Sequence, residues 1–558
     1  MSNVQPDPLA NAQTILRALL SDAPLPDMTP ADPGPYADIV EELRRARALG
    51  GHEAVKRQWA VLAARHAELA RLVSGDDLTP ATPPALAGTD TWLPFETVVE
   101  ALHRGETGDA ELLARLYANR LAYDHAEKGW YLWAGHHWQA DGRKQTGNLI
   151  AGNLAAQYLY AAAKLRQTED KKEVETQLCK RAWSLYNRNR IKNVLDLASS
   201  QNALALAGNE WEANPWLLAV SNGVIDLQTG RLQAGRPGNY IRTHAPTPWQ
   251  GIDAPAPRWA QFLQEIFAGD ADLIAFMQRL LGYAVSGLAD EHVLPVLYGT
   301  GRNGKDTLLE TLAHVLGDLA GPISDEVLLA SGQRGGGATP HLCALRSLRL
   351  AWVNESSEGQ WFNVAQVKQI TGGGQITARP LYGNPVRFNP QHLLMLVTNH
   401  RPRANADDYA LWKRLLLIPF RLSFVDKPTE PYERQRDPHL GEKLRAEAPG
   451  ILAWLVKGCL AWQKKGLNPP ETVTAATKAY QESEDDLAQF VAERCLESPQ
   501  AQAKASELYS AYRQWAEGYG LKPLEAKRFG ERLEKRYKRK RTASGNVYCG
   551  LGLLKGAE

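Results

Sequence analysis

The run Leu294–Leu309, LPVLYGTGRNGKDTLL, holds the residues best suited to chemistry. Gly299, Thr300, Gly301, Arg302, Asn303, Gly304 and Lys305 form a loop with the Gly-x-x-x-x-Gly-Lys spacing. Glycines let successive backbone N–H groups turn inward, and the start of a following helix adds donors. Such a loop suits the phosphates of a nucleotide. Lys305 is placed to reach the β- and γ-phosphates. Position 306 is Asp where Ser or Thr ordinarily holds Mg²⁺, and Thr307 follows. A carboxylate is itself a hard-cation ligand. Thr307 can take the role instead if the helix start is shifted, and the spacing leaves both open.

Phosphate chemistry also needs an acid, a polar group to orient water and a cation for developing charge. Arg349–Glu358, RLAWVNESSE, is an apolar run ending in Glu355, which could polarise water or hold Mg²⁺ through water. Glu358 is a second acid in the same place. Gln391–Asn399, QHLLMLVTN, ends in an amide, Asn399, that can orient water against the γ-phosphate. Arg414, after Lys413, precedes the apolar run Leu415–Phe420 and could reach a neighbouring subunit's γ-phosphate.

These segments, with KQITGGGQITARPLYGNPVRF between the second and third, run in one order. That order resembles the superfamily 3 helicases, specifically the phage, plasmid and poxvirus primase-helicase branch. The resemblance is close over Arg258–Val425 and extends from about Ala101 to the C-terminus. It implies a Walker B role for Glu355, a sensor role for Asn399 and an arginine finger at Arg414. It implies ATP and Mg²⁺ as cofactors, and a homo-oligomer, a hexameric ring, with DNA in its channel. Lys368–Phe388 corresponds to the family's channel hairpin. The residues read the same way: two short strands flank the turn Tyr382-Gly383-Asn384. Lys368, Arg379 and Arg387 supply charge for a phosphate backbone, and Tyr382 a stacking face.

The elements that must position these groups give a multidomain α/β fold. An AAA+-like P-loop core, a parallel sheet flanked by helices, is expected over 256–470. A helical domain is expected over 91–255. Before it lie a helical extension and a Pro/Thr-rich linker, 1–90, without chemistry-bearing motifs. Within 471–558 the order helix, turn, helix, hairpin suggests a winged-helix-like DNA-binding domain. Its second helix, Glu525–Tyr537, would enter a major groove with Lys527, Arg528, Arg532 and Arg536 at the DNA. Leu521–Arg541 carries ten Lys/Arg against three Glu.

Net charge is only +2 over 558 residues, so composition alone does not demand nucleic acid. No run of eighteen apolar residues exists, and the first residues lack a basic-then-apolar signal, so no membrane partner is expected. The five Cys show no metal-ligand spacing and fit a reducing compartment, the cytoplasm of a bacterial host. The leading expectation is an ATP-dependent DNA helicase of phage, prophage or plasmid replication. A primase-helicase with primer synthesis is one rival. The first hundred residues show no Asp-x-Asp or zinc motif for it, which points to a separate primase as partner. The other is a DNA-binding initiator or regulator with a weakened ATPase, kept open by Asp306.

Overall fold

A computed structural model describes residues 92–554 apart from 166–170, 330–337, 355–358, 522 and 543–544, together with Leu43, Arg45 and Val55. The readings made for 1–90 thus lie almost wholly outside the described residues. The chain divides into two compact units, residues 1–132 with 140–208, and residues 133–139 with 209–558. The boundaries expected after 255 and after 470 both lie inside the second unit.

In the first unit, helices Phe95–His103, Gly105–Tyr117, Ala155–Leu165, Lys172–Ser184 and Arg188–Ser199 pack around Leu113, Ile150, Tyr158, Leu178 and Val194. Leu121–Asp124 adds a strand, antiparallel to residues 129–132 and parallel to Ala205–Leu206.

The second unit begins with a meander, β1 Leu217–Val220, β2 Gly223–Asp226 and β3 Arg231–Gln233. Helices α1 Pro257–Ile266 and α2 Ala271–Ala284 follow. Sequence periodicity predicts one helix over 262–286. Ala268 and Gly269 take positive φ, and the Asp270 side chain caps Leu273, so the chain restarts as a second helix.

The apolar runs then pair into one parallel sheet. Its strands are β4 Leu294–Tyr298, β5 Ala320–Ile323, β6 Leu350–Asn354, β9 Leu393–Thr398 and β10 Leu415–Pro419, in the spatial order β10-β4-β9-β6-β5. Helix α3, Lys305–Leu316, leaves the end of β4. Between β6 and β9 lie α4 Val364–Ile370 and the antiparallel pair β7 Ile376–Ala378 and β8 Val386–Phe388. A short helix α5, Tyr409–Trp412, precedes β10.

Both faces of the sheet are covered, which is why its strands read as unbroken apolar runs rather than alternating ones. Leu297, Trp352, Met395 and Ile418 face a core shared with α1, α2, α3 and α6 Ala448–Lys465. Val296, Val353, Leu394 and Leu417 face the other, with Val367, Ile370, Trp412 and Tyr480. Helices α2 and α6 meet through glycine: a Cβ on Gly282 would lie 2.2 Å from the Cys459 nitrogen. Glu447 accepts from the Arg258 and Trp259 backbone N–H groups at the start of α1, tying the end of the core to its beginning.

Helix α7 Glu471–Ser483 leads to a terminal module. Its elements are α8 Asp486–Arg494, β11 Cys495–Lys504, α9 Ala505–Gly518, α10 Ala526–Glu534, β12 Lys538–Thr542 and β13 Gly545–Leu553. The sequence periodicity runs through Thr472–Leu496 as one helix. Asp485 instead caps Ala488 and restarts the chain as α8. The module's sheet has the order β11-β13-β12 over a core of Phe490, Tyr512, Trp515, Phe529 and Leu551.

Candidate functional site

The glycine-rich loop sits at the C-terminal end of β4, whose neighbours are β9 and β10, not the next strand in sequence, β5. Such a reversal of strand order opens a crevice at the C-terminal ends of the strands, where open α/β sheets take ligands. The loop is bent as phosphate binding requires: Gly301, Arg302 and Gly304 all have positive φ. Gly304 is required there, since its φ is +87° and an added Cβ would approach the Ile266 side chain to 2.6 Å. The segment after β10 braces the loop, with Phe420 N–H donating to Tyr298 and Phe424 N–H donating to the Arg302 carbonyl.

Lys305 is buried and donates to the Gly299 carbonyl at 2.7 Å and to Asn399 Oδ1 at 3.1 Å. Gly301 N–H also points to Asn399 Oδ1, at 3.3 Å. The Asn399 amide oxygen therefore occupies two donors of the kind a phosphate oxygen would use. Both acceptors around Lys305 are uncharged. Burial pushes its pKa down from the usual lysine range to about 8, with Asp306 opposing the shift. Asn303 lies under the loop, buried, and its Nδ2 has no acceptor among the described residues. A buried unpaired donor beside a glycine-rich loop fits an anion. Asp306 is exposed in the first turn of α3 and Thr307 half-buried beside it. Glu355 and Glu358 lie outside the described residues.

Arg414 is elsewhere. It precedes the N-terminal end of β10, the edge of the sheet opposite the loop, and its carbonyl accepts from Leu294 N–H at the start of β4. A five-residue strand separates it from its own loop by about 16 Å. Its guanidinium donates to Thr371 Oγ1 at 3.1 Å and to the Ala410 carbonyl at 2.7 Å. Lys413 is exposed, over the Tyr409 ring.

The hairpin residues divide. Tyr382 stands at the tip with positive φ and 98% exposure, next to exposed Leu381. Arg387 is exposed on β8, and Arg379 is exposed with Nε donating to the Gly383 carbonyl. Lys368 is instead on α4, ion-paired at 3.0 Å with Asp408.

The terminal module divides as well. Lys527 and Arg528 are exposed. Arg532 is only 12% exposed; its Nη2 bonds Asp485 at 3.2 Å, and its Nε lies 2.5 Å from Asp407 without pointing along a hydrogen-bond line. Arg536 pairs with the other Asp485 oxygen. The spacing of cations on α10 gave no sign of this, because the partners lie at distant positions in the chain. The first unit hides a similar knot. Buried Asp109 takes Arg181, Arg190 and the Tyr158 hydroxyl, so two cations of a basic helical stretch face inward. Burial and Asp109 raise the Tyr158 pKa well above the usual phenol range.

Two segments on either side of the glycine-rich loop match known families. Residues 110–268 match the family described as "D5 N terminal like", and residues 482–549 match "Poxvirus D5 protein-like". Two segments of the chain thus resemble D5-type proteins, consistent with the resemblance to the superfamily 3 primase-helicases. It is 29% identical over 416 residues to a putative helicase of Acanthamoeba polyphaga mimivirus, covering 69% of this chain and 43% of the relative. It is 28% identical over 384 residues to a putative helicase of Frog virus 3, covering 55% and 39%. A putative primase of African swine fever virus is 25% identical over 325 residues, covering 54% and 33%. The chain thus spans less than half the length of these relatives, and none of the three comes from a phage. The solved C-terminal region of NrS-1 aligns at 12% identity and a TM-score of 0.41, covering 66% of this chain and 74% of that one.

Proposed function

We propose that the chain is an ATP-dependent DNA helicase of superfamily 3 acting in viral or plasmid DNA replication inside the host cell. The observation that carries this reading is the contact between Lys305 and Asn399 at the reversal of strand order. ATP phosphates would take Lys305 and the loop N–H groups, displacing Asn399. The freed amide would then orient the attacking water. Asp306 or Thr307, with Glu355, would hold Mg²⁺, which supplies charge neutralisation on the phosphates. Arg414 lies too far from its own loop to serve it, which supports action across a subunit boundary in a hexameric ring. Tyr382, Arg379 and Arg387 would meet DNA in the channel.

Steady-state ATPase of the full chain with and without single-stranded DNA tests the reading. Hydrolysis stimulated by DNA and lost in Lys305→Ala supports it. A folded wild type that binds nucleotide but never hydrolyses it favours the initiator reading, for which the exposed Asp306 carboxylate speaks. Mixing Arg414→Ala with Lys305→Ala subunits tests the boundary role. Each variant alone should be inactive, and mixed assemblies should regain part of the hydrolysis.

A further inference from the structure

We propose that the terminal module meets DNA through the edge strand β12, rather than through the Arg532 and Arg536 side of α10. The proposal rests on the DNA-binding reading above and moves its contact surface. On α10 and the residue on either side of it, Glu525–Lys535, the charges nearly cancel. Lys527, Arg528, Arg532 and Lys535 stand against Glu525, Glu531 and Glu534. Arg532 is already neutralised by Asp407 and Asp485, and the next cation, Arg536, by Asp485. Using these two on phosphates would require breaking half-buried ion pairs, which is costly.

β12 has the opposite character. Lys538, Arg539, Lys540, Arg541 and Thr542 are all exposed, and no acid lies among them. Arg539 pairs with Glu534. Lys538, Lys540 and Arg541 have no ion-pair partner among the described residues. The strand is hydrogen-bonded only to β13 and ends the sheet order β11-β13-β12, so backbone N–H groups along its outer edge are also unpaired by the sheet. Alternation sends Lys538 and Lys540 to one face and Arg541 to the other. The edge strand thus carries three exposed cations, two on one face and one on the other, beside a row of backbone donors, a chemistry suited to a phosphate backbone. Cations on an edge strand also arise as a guard against pairing with another sheet, and the two roles predict different results.

The test uses the full chain and fluorescence anisotropy with single-stranded and duplex DNA from about 50 to 200 mM salt. Replacing Lys538, Lys540 and Arg541 together by Glu keeps the edge charged but reverses its sign. DNA affinity should collapse with the fold intact by circular dichroism. The Ala triple variant should lower the slope of log affinity against log salt by about 2 for single strands and about 2.7 for duplex. The swap Lys538→Arg, Lys540→Arg, Arg541→Lys should leave the slope at its wild-type value. A wild-type slope in the Ala triple variant, or a loss seen only in Lys527→Ala with Arg528→Ala, overturns the edge-strand assignment. A wild type with no salt-dependent DNA binding overturns the DNA reading with it.

Discussion

The glycine-rich loop and the terminal module both hold cations against oxygen acceptors, but they satisfy them differently. Lys305 has two neutral oxygens, the Gly299 carbonyl and the Asn399 amide, and its pKa is pushed down to about 8. Arg532 and Arg536 have the carboxylates of Asp407 and Asp485. A buried cation without a counter-charge is a place where an anion gains most by arriving. A cation already matched by carboxylates has little to offer a phosphate. A third case limits the rule. Arg349 is buried against the carbonyls of Pro215, Leu217 and Val285, also without a carboxylate bonded to it. It lies at the start of β6, buried beside β1 and the end of α2, away from the C-terminal ends of the strands. Neutral acceptors therefore mark a candidate site only together with its place in the sheet, here the reversal of strand order beside β4.

The largest effect should follow from removing the unmatched cation. Lys305→Ala should lower ATP hydrolysis by about a hundredfold to a thousandfold, the range for losing one preorganised transition-state donor. Thermal melting should stay near wild type, since the lysine has no carboxylate to strand. If a folded variant hydrolyses ATP at the wild-type rate, the loop is not the site.

Removing a matched cation should do the reverse. Arg532→Ala leaves Asp485 and Asp407 with fewer partners and should destabilise the protein by about 2 kcal/mol after discounting for partial exposure. Its DNA salt slope should remain that of wild type. Chemical denaturation and anisotropy read the two quantities separately. A stable variant with a shallower slope would make Arg532 a DNA contact and erase the contrast between the regions.

How far these regions were legible in the sequence follows from the same physics. The strands beside the loop are buried on both faces, so Leu294–Tyr298, Leu350–Asn354 and Leu393–Thr398 read as short apolar runs at once. The loop and Asn399 were legible because each follows such a run, and the hairpin turn because Tyr382-Gly383-Asn384 is turn chemistry. Ion pairs leave no such trace. Arg532 and Asp485 are 47 positions apart, and Arg190 and Asp109 are 81 apart, so nothing local distinguishes a paired arginine from a solvated one. The break at Asp485 was hidden by apolar spacing that continues through it. A capping carboxylate decided that boundary, and only its hydrogen bond to Ala488 reveals it.

Asn399→Ala sharpens the loop side. It removes the oxygen bonded to Lys305 and Gly301, which on the proposed reading competes with phosphate, and the amide that would orient water. ADP should bind about threefold to tenfold more tightly, the worth of one modest hydrogen bond. Hydrolysis should nevertheless fall. Isothermal titration and steady-state turnover give the two numbers. Weaker ADP binding would mean that the amide supports the loop instead of competing with its ligand.

The last effect is a titration that only the loop side should show. Lys305 has a depressed pKa in the free protein because burial disfavours its charged form. A bound phosphate favours the charged form, so binding must take up a proton wherever the free lysine has lost it. Below about pH 8 the lysine is already charged and ADP affinity should be flat. Above that value affinity should fall, approaching about tenfold per pH unit for one linked proton. Lys305→Arg supplies the control, because guanidinium stays protonated throughout this range. Its affinity, whatever its level, should not change between pH 7 and 9.5, a range of about two and a half decades in proton activity. A wild-type profile as flat as that of Lys305→Arg would show that the lysine keeps its charge without phosphate, and that its neutral partners suffice to hold it.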